Sequence, residues 1–222
     1  MLFSRITQLF TDPLQILYAL PGILIGLTVH EWAHAYVAYR LGDPTAKNLG
    51  RMTLNPIAHF DIVGILCLLI VGFGWAKPVP VNPRNFKNYK RDDILVSLAG
   101  VTMNLVTAFV FTLVLYAGYA LRPRLAMNGA FNSILGGIIS INLSLMLFNL
   151  IPIYPLDGSH VLECLLMRRF PRFFLFMRQY GQWILIALLL TGAVSTVLGV
   201  GVNAIFRGML WIASKLIPIA GV

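Results

Sequence analysis

Residues 14–39 read LQILYALPGILIGLTVHEWAHAYVAY, an apolar run long enough to cross a ~30 Å hydrocarbon core as a helix. His30, Glu31 and His34 interrupt it, and Arg40-Leu41-Gly42-Asp43-Pro44 closes it with the Gly-then-Pro order of a helix stop. Similar blocks of about 17 to 28 residues recur along the chain, separated by short charged or Pro/Gly-rich stretches. Across 222 residues, 58% are hydrophobic and 11% charged, far from a soluble globular composition. A soluble enzyme is excluded. The blocks are continuously apolar rather than alternating, which also excludes a transmembrane β-barrel. The expectation is an all-α polytopic membrane protein with about five to six membrane helices or re-entrant segments.

Beyond the first block, the polar stretch 45–56 predicts a hairpin or irregular loop. A shorter apolar run, 57–73, carries His59 and Asp61 at its head, and residues 75–93 form a loop with three prolines and five Lys/Arg. Residues 94–121 and 130–153 are predicted spans. The second ends in Asn149-Leu-Ile-Pro-Ile-Tyr-Pro-Leu-Asp-Gly158, and a short helix follows over 159–167. Residues 183–200 are predicted to span again, while 204–219 either spans or lies in the interface. The aromatics and arginines of 167–183 fit an interface belt with snorkelling arginines. The net charge of +9 sits in loops, as the positive-inside rule requires, so no nucleic-acid partner is expected. Cys67 and Cys164 imply no disulfide framework. The N-terminal run reads as a retained helix, not a signal peptide, and one membrane-embedded domain is expected over 1–222, with a core at about 14–167 and C-terminal helices at 180–219.

His30-Glu31-Trp32-Ala33-His34 is an HExxH pattern on a helix. Residues i and i+4 share a face, so both imidazoles can reach one zinc, and Glu31 projects beside them toward a metal-activated water. Glu31 is one of two glutamates in the chain, and an ionisable group inside a membrane helix costs ~2.5 kcal/mol or more unless it is partnered. Two buried, carbonyl-bonded histidines are the plainer alternative. A catalytic zinc needs a third protein ligand, and Asp61, His59, Asp157, His160 and Glu163 are the candidates. Asp157 stands out, because Pro152 and Pro155 break the helix before it, and broken helices in a bilayer line cavities. His59 and Asp61 fit an interfacial cap more simply, and hydrogen bonds account for His160 and Glu163.

HEWAH, Leu98-Ala-Gly-Val-Thr-Met-Asn104 and the 149–158 stretch together resemble the three signatures of the site-2 protease family of intramembrane zinc metalloproteases. GDPTAKNLGRMTLNPIAHFD and GWAKPVPVNPRNF resemble its compact prokaryotic branch without a PDZ-like domain. Where the family usually has Pro after Ala-Gly, this chain has Val101. The resemblance implies His30, His34 and Asp157 as zinc ligands and Glu31 as general base. It implies substrate-binding roles for Asn149, at the substrate or oxyanion, and for Asn104, and an edge segment at Gly72, Gly74 and the following AKPVPV that receives an unwound transmembrane protein or peptide substrate. The function expected is zinc endoproteolysis within the bilayer. A metal-ion transporter or sensor using the same cluster is the rival, and an inactive binding scaffold the third reading. Charge arithmetic adds a topology. The loop 77–91 carries five Lys/Arg and 168–178 carries four, against two at 122–124, so the first two are expected in the cytoplasm and the N-terminus outside. The run 57–73 must then dip in and return, and the active site faces the cytoplasmic leaflet.

Overall fold

The computed structural model describes residues 13–64, 67 and 74–217. The chain is an all-α polytopic membrane protein. Helix α1 (Pro13–Arg40) holds the first apolar block, and α2 (Thr45–Asn48) is a single turn. Two long helices, α3 (Tyr89–Leu121) and α4 (Gly129–Asn149), follow, then α5 (Asp157–Leu166), α6 (Pro171–Leu190) and α7 (Ala193–Leu216). Of these, α3, α4, α6 and α7 are long and apolar enough to cross a membrane.

α1 ends as its sequence requires. Gly42 takes φ +110°, and the Gly42 and Asp43 amides fold back onto the Tyr39 and Ala38 carbonyls, satisfying groups that the last helical turn leaves open. α3 starts five residues earlier than apolarity alone suggests, because Asn88 caps it by accepting from the Arg91 amide. The expected irregular loop at 45–56 contains the short α2, and Gly50 at φ +68° terminates it.

α1, α3 and α4 pack as the central layer. Val96 of α3 lies beside His34 and Asn104 beside His30, so α3 runs antiparallel to α1. Gly22 meets Gly137, and Gly26 meets Asn142 and Leu145, so α4 runs parallel to α1. A Cβ on Gly22 would lie 2.9 Å from the Gly137 carbonyl oxygen. Small residues at this crossing let the two backbones touch, as membrane helices require when lipid supplies no hydrophobic drive. Ile138, Ile139, Leu143, Ala108, Leu115 and Met209 fill the buried core beside it.

The C-terminal region departs from expectation. Residues 183–200 are not one span: Gly192, at φ +76°, breaks them into α6 and α7. α6 packs on α5 and the preceding loop, through Arg178 to Glu163 and Gly181 against Tyr154. α7 sets out from beside Ile151 and runs past Leu147 to put Met209 against Thr112. The 204–219 stretch is therefore largely the second part of a long helix packed on α3 and α4. Cys67 and Cys164 are free thiols, as expected.

Most of the run 57–73, Gly72 included, lies outside the described residues. Its two ends are side by side, however. Phe60 and Ala76 form an isolated antiparallel bridge, and the Lys77 amide donates to the His59 carbonyl at 2.9 Å. Among the described residues, the expected β-like edge is this one bridge followed by extended chain.

Asp43 is the tether that sequence reading passed over. Fully buried, it accepts from the Thr45 amide at 3.1 Å, the Thr45 hydroxyl, the Asn82 amide at 2.7 Å and the Asn85 side chain at 2.7 Å. It ties the end of α1 to the far end of the extended segment. Burial pushes its pKa up, but the Thr45, Asn82 and Asn85 donors outweigh burial and hold it below the ordinary carboxylate range. A depressed folded pKa contributes stability that is complete above the unfolded value and lost as pH falls through the folded one. Loss of these charge-assisted hydrogen bonds in Asp43→Ala should cost about 1.5–3 kcal/mol near neutral pH. Thermal unfolding in detergent should show the difference from wild type shrinking as pH falls below the ordinary carboxylate pKa.

Candidate metal centre

His30 and His34 lie one turn apart on α1 with their rings edge to face, centroids 4.6 Å apart. Each Nδ1 faces an oxygen. His30 Nδ1 donates to Asn104 Oδ1 at 2.6 Å, and His34 Nδ1 donates to the Val96 carbonyl at 2.7 Å. The Asn104 amide is oriented by its own Nδ2, which donates to the Gly26 carbonyl and to Asn142 Oδ1. With the Nδ1 protons so placed, each neutral imidazole turns its Nε2 lone pair inward, the arrangement that outer partners impose on metal-binding histidines.

Asp157 completes the cluster. α4 stops at Asn149, and Pro152 and Pro155 cannot continue the helical ladder. Tight bonds then carry the chain round: Ile151 amide to Phe148 carbonyl, Ile153 to Ile151, Leu156 to Ile153. Gly158 seats the turn, since a Cβ there would come within 2.4 Å of the Leu150 carbonyl oxygen. Asp157 Oδ2 arrives 3.2 Å from His30 Nε2 and 3.3 Å from His34 Nε2, and the two Nε2 atoms are 3.0 Å apart.

These distances test whether a metal fits. Asp157 Oδ2 is buried with no hydrogen-bond donor, so three lone-pair atoms face one another, which is unfavourable unless a cation sits among them. Tetrahedral zinc with ligands at about 2.0–2.1 Å sets ligand atoms about 3.3 Å apart. The triangle matches zinc. Among the described residues, His30, His34 and Asp157 form the group of His, Cys, Asp and Glu side chains close enough to share one ion.

Glu31 is buried beside this face. Its Oε2 accepts from the Val79 amide at 2.7 Å, which joins the HEWAH helix to the extended segment after Gly74. Arg51 steadies the segment from outside by donating to the Lys77 carbonyl at 2.8 Å, and Val79 packs with Ala35 and Ala46.

Asn104 is fully buried, and its polar atoms face His30, Gly26 and Asn142. Expected among the substrate-binding residues, Asn104 here supports a histidine. Asn149 is partly buried at the end of α4, donating to the Leu145 carbonyl at 3.0 Å. Gly74 is partly buried in extended chain. His59 is fully buried and bonded to the Thr53 carbonyl, and Asp61 accepts from the Gly64 amide, both outside the metal cluster. Glu163 pairs with Arg178, while His160 lies 4.0 Å from Asp93. Cys164 donates to the same Asp93 carboxylate at 3.3 Å and fastens α5 to α3.

Gly100 is the residue that sequence reading missed. A Cβ there would lie 2.6 Å from both His30 Cε1 and His34 Nε2. The signal was present in the LAGVTMN stretch, but which neighbour demanded glycine depends on a contact some 70 residues away in sequence.

The sequence profile of peptidase family M50 matches residues 120–192, which include Asn149 and Asp157. YwhC of Bacillus subtilis, named as a zinc metalloprotease, is 46% identical over 154 residues, covering 68% of this chain and 70% of that protein. The chain belongs to peptidase family M50, the site-2 proteases. A second relative, Rip2 of Mycolicibacterium smegmatis, also named as a zinc metalloprotease, is 30% identical over 179 residues, 78% of this chain and 67% of that protein. Rip2 of Mycobacterium tuberculosis strain H37Rv is 31% identical over 151 residues, 64% of this chain and 54% of its own. No solved structure matches. Membership makes this protein a zinc-dependent metalloprotease of the membrane.

Gly100→Ala should displace the histidines while leaving the identity of all three clustered side chains unchanged. Zinc content of the purified protein should fall below half an ion per chain, with a loss of zinc affinity of ten- to hundred-fold. Unchanged zinc content would show that the histidines accommodate the methyl group.

Proposed function

We propose that this protein is an intramembrane zinc endopeptidase that hydrolyses a peptide bond of a transmembrane protein substrate. It forms one membrane-embedded domain with its C-terminal helices packed on the catalytic core. The observation that carries the proposal is the convergence of His30 Nε2, His34 Nε2 and Asp157 Oδ2 within 3.3 Å, with buried Glu31 alongside. His30, His34 and Asp157 would hold the zinc. When bound, zinc supplies a Lewis acid that makes water acidic near neutral pH and polarises a carbonyl.

The chain's own residues do the rest. Glu31 takes the proton of the attacking water on its carboxylate and returns it to the leaving amine nitrogen. The Val79 amide holds that carboxylate in place through one oxygen, leaving the other for the proton. Asn149, one N–H spent on Leu145, has a second N–H and a carbonyl oxygen with which to position a substrate at the mouth of the turn. A helical substrate must unwind first, because its carbonyls are hydrogen-bonded and shielded. The segment 74–81 lies where an unwound strand would pass. In this segment Pro78 and Pro80 have no N–H to give, so a strand pairing along their edge would meet their carbonyls and no donor from either.

Zinc analysis and a cleavage assay test this together. His30→Ala, His34→Ala and Asp157→Ala should each lose zinc. Glu31→Gln should keep one zinc per chain and cut single-span substrates about 10²- to 10⁴-fold more slowly. Retention of both zinc and activity by Asp157→Ala would move the third ligand elsewhere.

The depth of the site follows from the same helices. Along α3, Gly100 lies about 32 Å from Leu121, about one hydrocarbon thickness. The site is then at the opposite interface, on the side of the basic loop 77–91. By the positive-inside rule we place that side in the cytoplasm. Phe60 pairs with Ala76, so the two described ends of the run 57–73 sit at one level, as the re-entrant reading requires. Cysteines introduced at Asn82 and Arg168 should both be labelled from the cytoplasm by a membrane-impermeant maleimide. Labelling at Asn82 from the external face would sink the re-entrant reading.

A further inference from the structure

Asn142 sits one helix removed from the proposed zinc ligands, on α4, and it is fully buried. Its Nδ2 donates to the Ile138 carbonyl at 2.9 Å. A backbone carbonyl can only accept, so this bond decides which way the Asn142 amide faces. Its Oδ1 is thereby left to accept from Asn104 Nδ2, also at 2.9 Å. The second hydrogen of Asn104 Nδ2 goes to the Gly26 carbonyl at 3.1 Å, again a pure acceptor. Asn104 Oδ1 is then turned toward His30 Nδ1, 2.6 Å away.

We propose that Asn142 is a positioning residue that sets the tautomer of His30. The polarity of the chain is fixed at the Ile138 and Gly26 carbonyls and passes through two side-chain amides to the imidazole. An amide oxygen opposite His30 Nδ1 requires the proton on Nδ1 and leaves the lone pair on Nε2, the atom that faces Asp157. Both asparagines are sealed from solvent, so no water can stand in for a missing acceptor. Reversing either amide would set oxygen against oxygen and leave a buried hydrogen without a partner. Gly26 permits the arrangement, because a Cβ there would lie 2.8 Å from Leu145 Cδ1 and 3.4 Å from Asn142 Nδ2. The plain alternative is that Asn142 only glues α4 to α1 and α3, as buried amides do in membrane bundles.

The inference rests on the zinc reading of His30, and the experiment separates the two. Full-length protein in detergent micelles is prepared as wild type, Asn142→Leu and Asn142→Ser. Serine's hydroxyl keeps a bond to the Ile138 carbonyl, as Thr112 does to Ala108, but falls short of Asn104. Zinc affinity is measured by competition with a chelator, and the His30 tautomer by ¹⁵N chemical shifts of the zinc-free protein. Both variants should bind zinc ten- to hundred-fold more weakly, with His30 moving toward the Nε2–H form. The serine variant carries the test if the leucine variant does not fold. Wild-type zinc affinity in either variant, or weakened affinity with the His30 tautomer unchanged, would overturn the proposal. A wild-type protein that binds no zinc would instead overturn the reading beneath it.

Discussion

Two imidazole nitrogens and a carboxylate oxygen, held within 3.3 Å of one another with no proton donor among them, are the constraint on which the molecule is built. Left alone, such a cluster repels itself. It persists because each group is fastened from behind: the two imidazoles by Asn104 and the Val96 carbonyl of α3, and Asp157 by the turn between α4 and α5. Remove the outer fastenings and nothing intrinsic to the three side chains would keep their lone pairs aimed at one point.

Close helix approach makes the fastening possible. Gly100 lets α3 press against both histidines, and Gly22 with Gly137 lets α4 reach α1 near the level where Asn142 can reach Asn104. In lipid the apolar surfaces gain nothing by leaving the solvent, so packing and hydrogen bonds do the holding. The glycines supply proximity and the asparagines use it. A larger residue at any of these crossings would separate the backbones and open the polar chain together.

How much of this the sequence disclosed follows from the range of each signal. The HEWAH spacing is local, so a helix with His30 and His34 on one face was legible directly. Asp157 was legible because Pro152 and Pro155 announce broken helix. Helix breaks without proline were harder. Gly192 sits inside a continuous apolar stretch, and hydropathy reports composition, not handedness of φ, so the end of α6 was read through as a single span. Long-range partners were not legible at all. Asn104 could be placed near the site, but its role as a histidine partner depends on Gly26 and Asn142 from two other helices. Asp43 looked like part of a helix stop, and beyond its neighbour Thr45 its donors arrive from residues 82 and 85.

Glu31 shows how the loop and the helix constrain each other. A carboxylate on a long, flexible stem has no reason to hold one rotamer inside an apolar helix, and here the Val79 amide supplies it. That amide is itself positioned at a distance: Arg51 grips the Lys77 carbonyl, His59 receives the Lys77 amide, and Asp43 receives the amide of Asn82. The prolines at 78 and 80 leave Val79 as the one N–H between Lys77 and Val81. Within that stretch the extended segment has a single donor to offer, and it is committed to Glu31. The loop that resembles a substrate edge is thus also the device that aims the proposed base, and any movement of the segment during substrate entry must be felt at the Glu31 carboxylate.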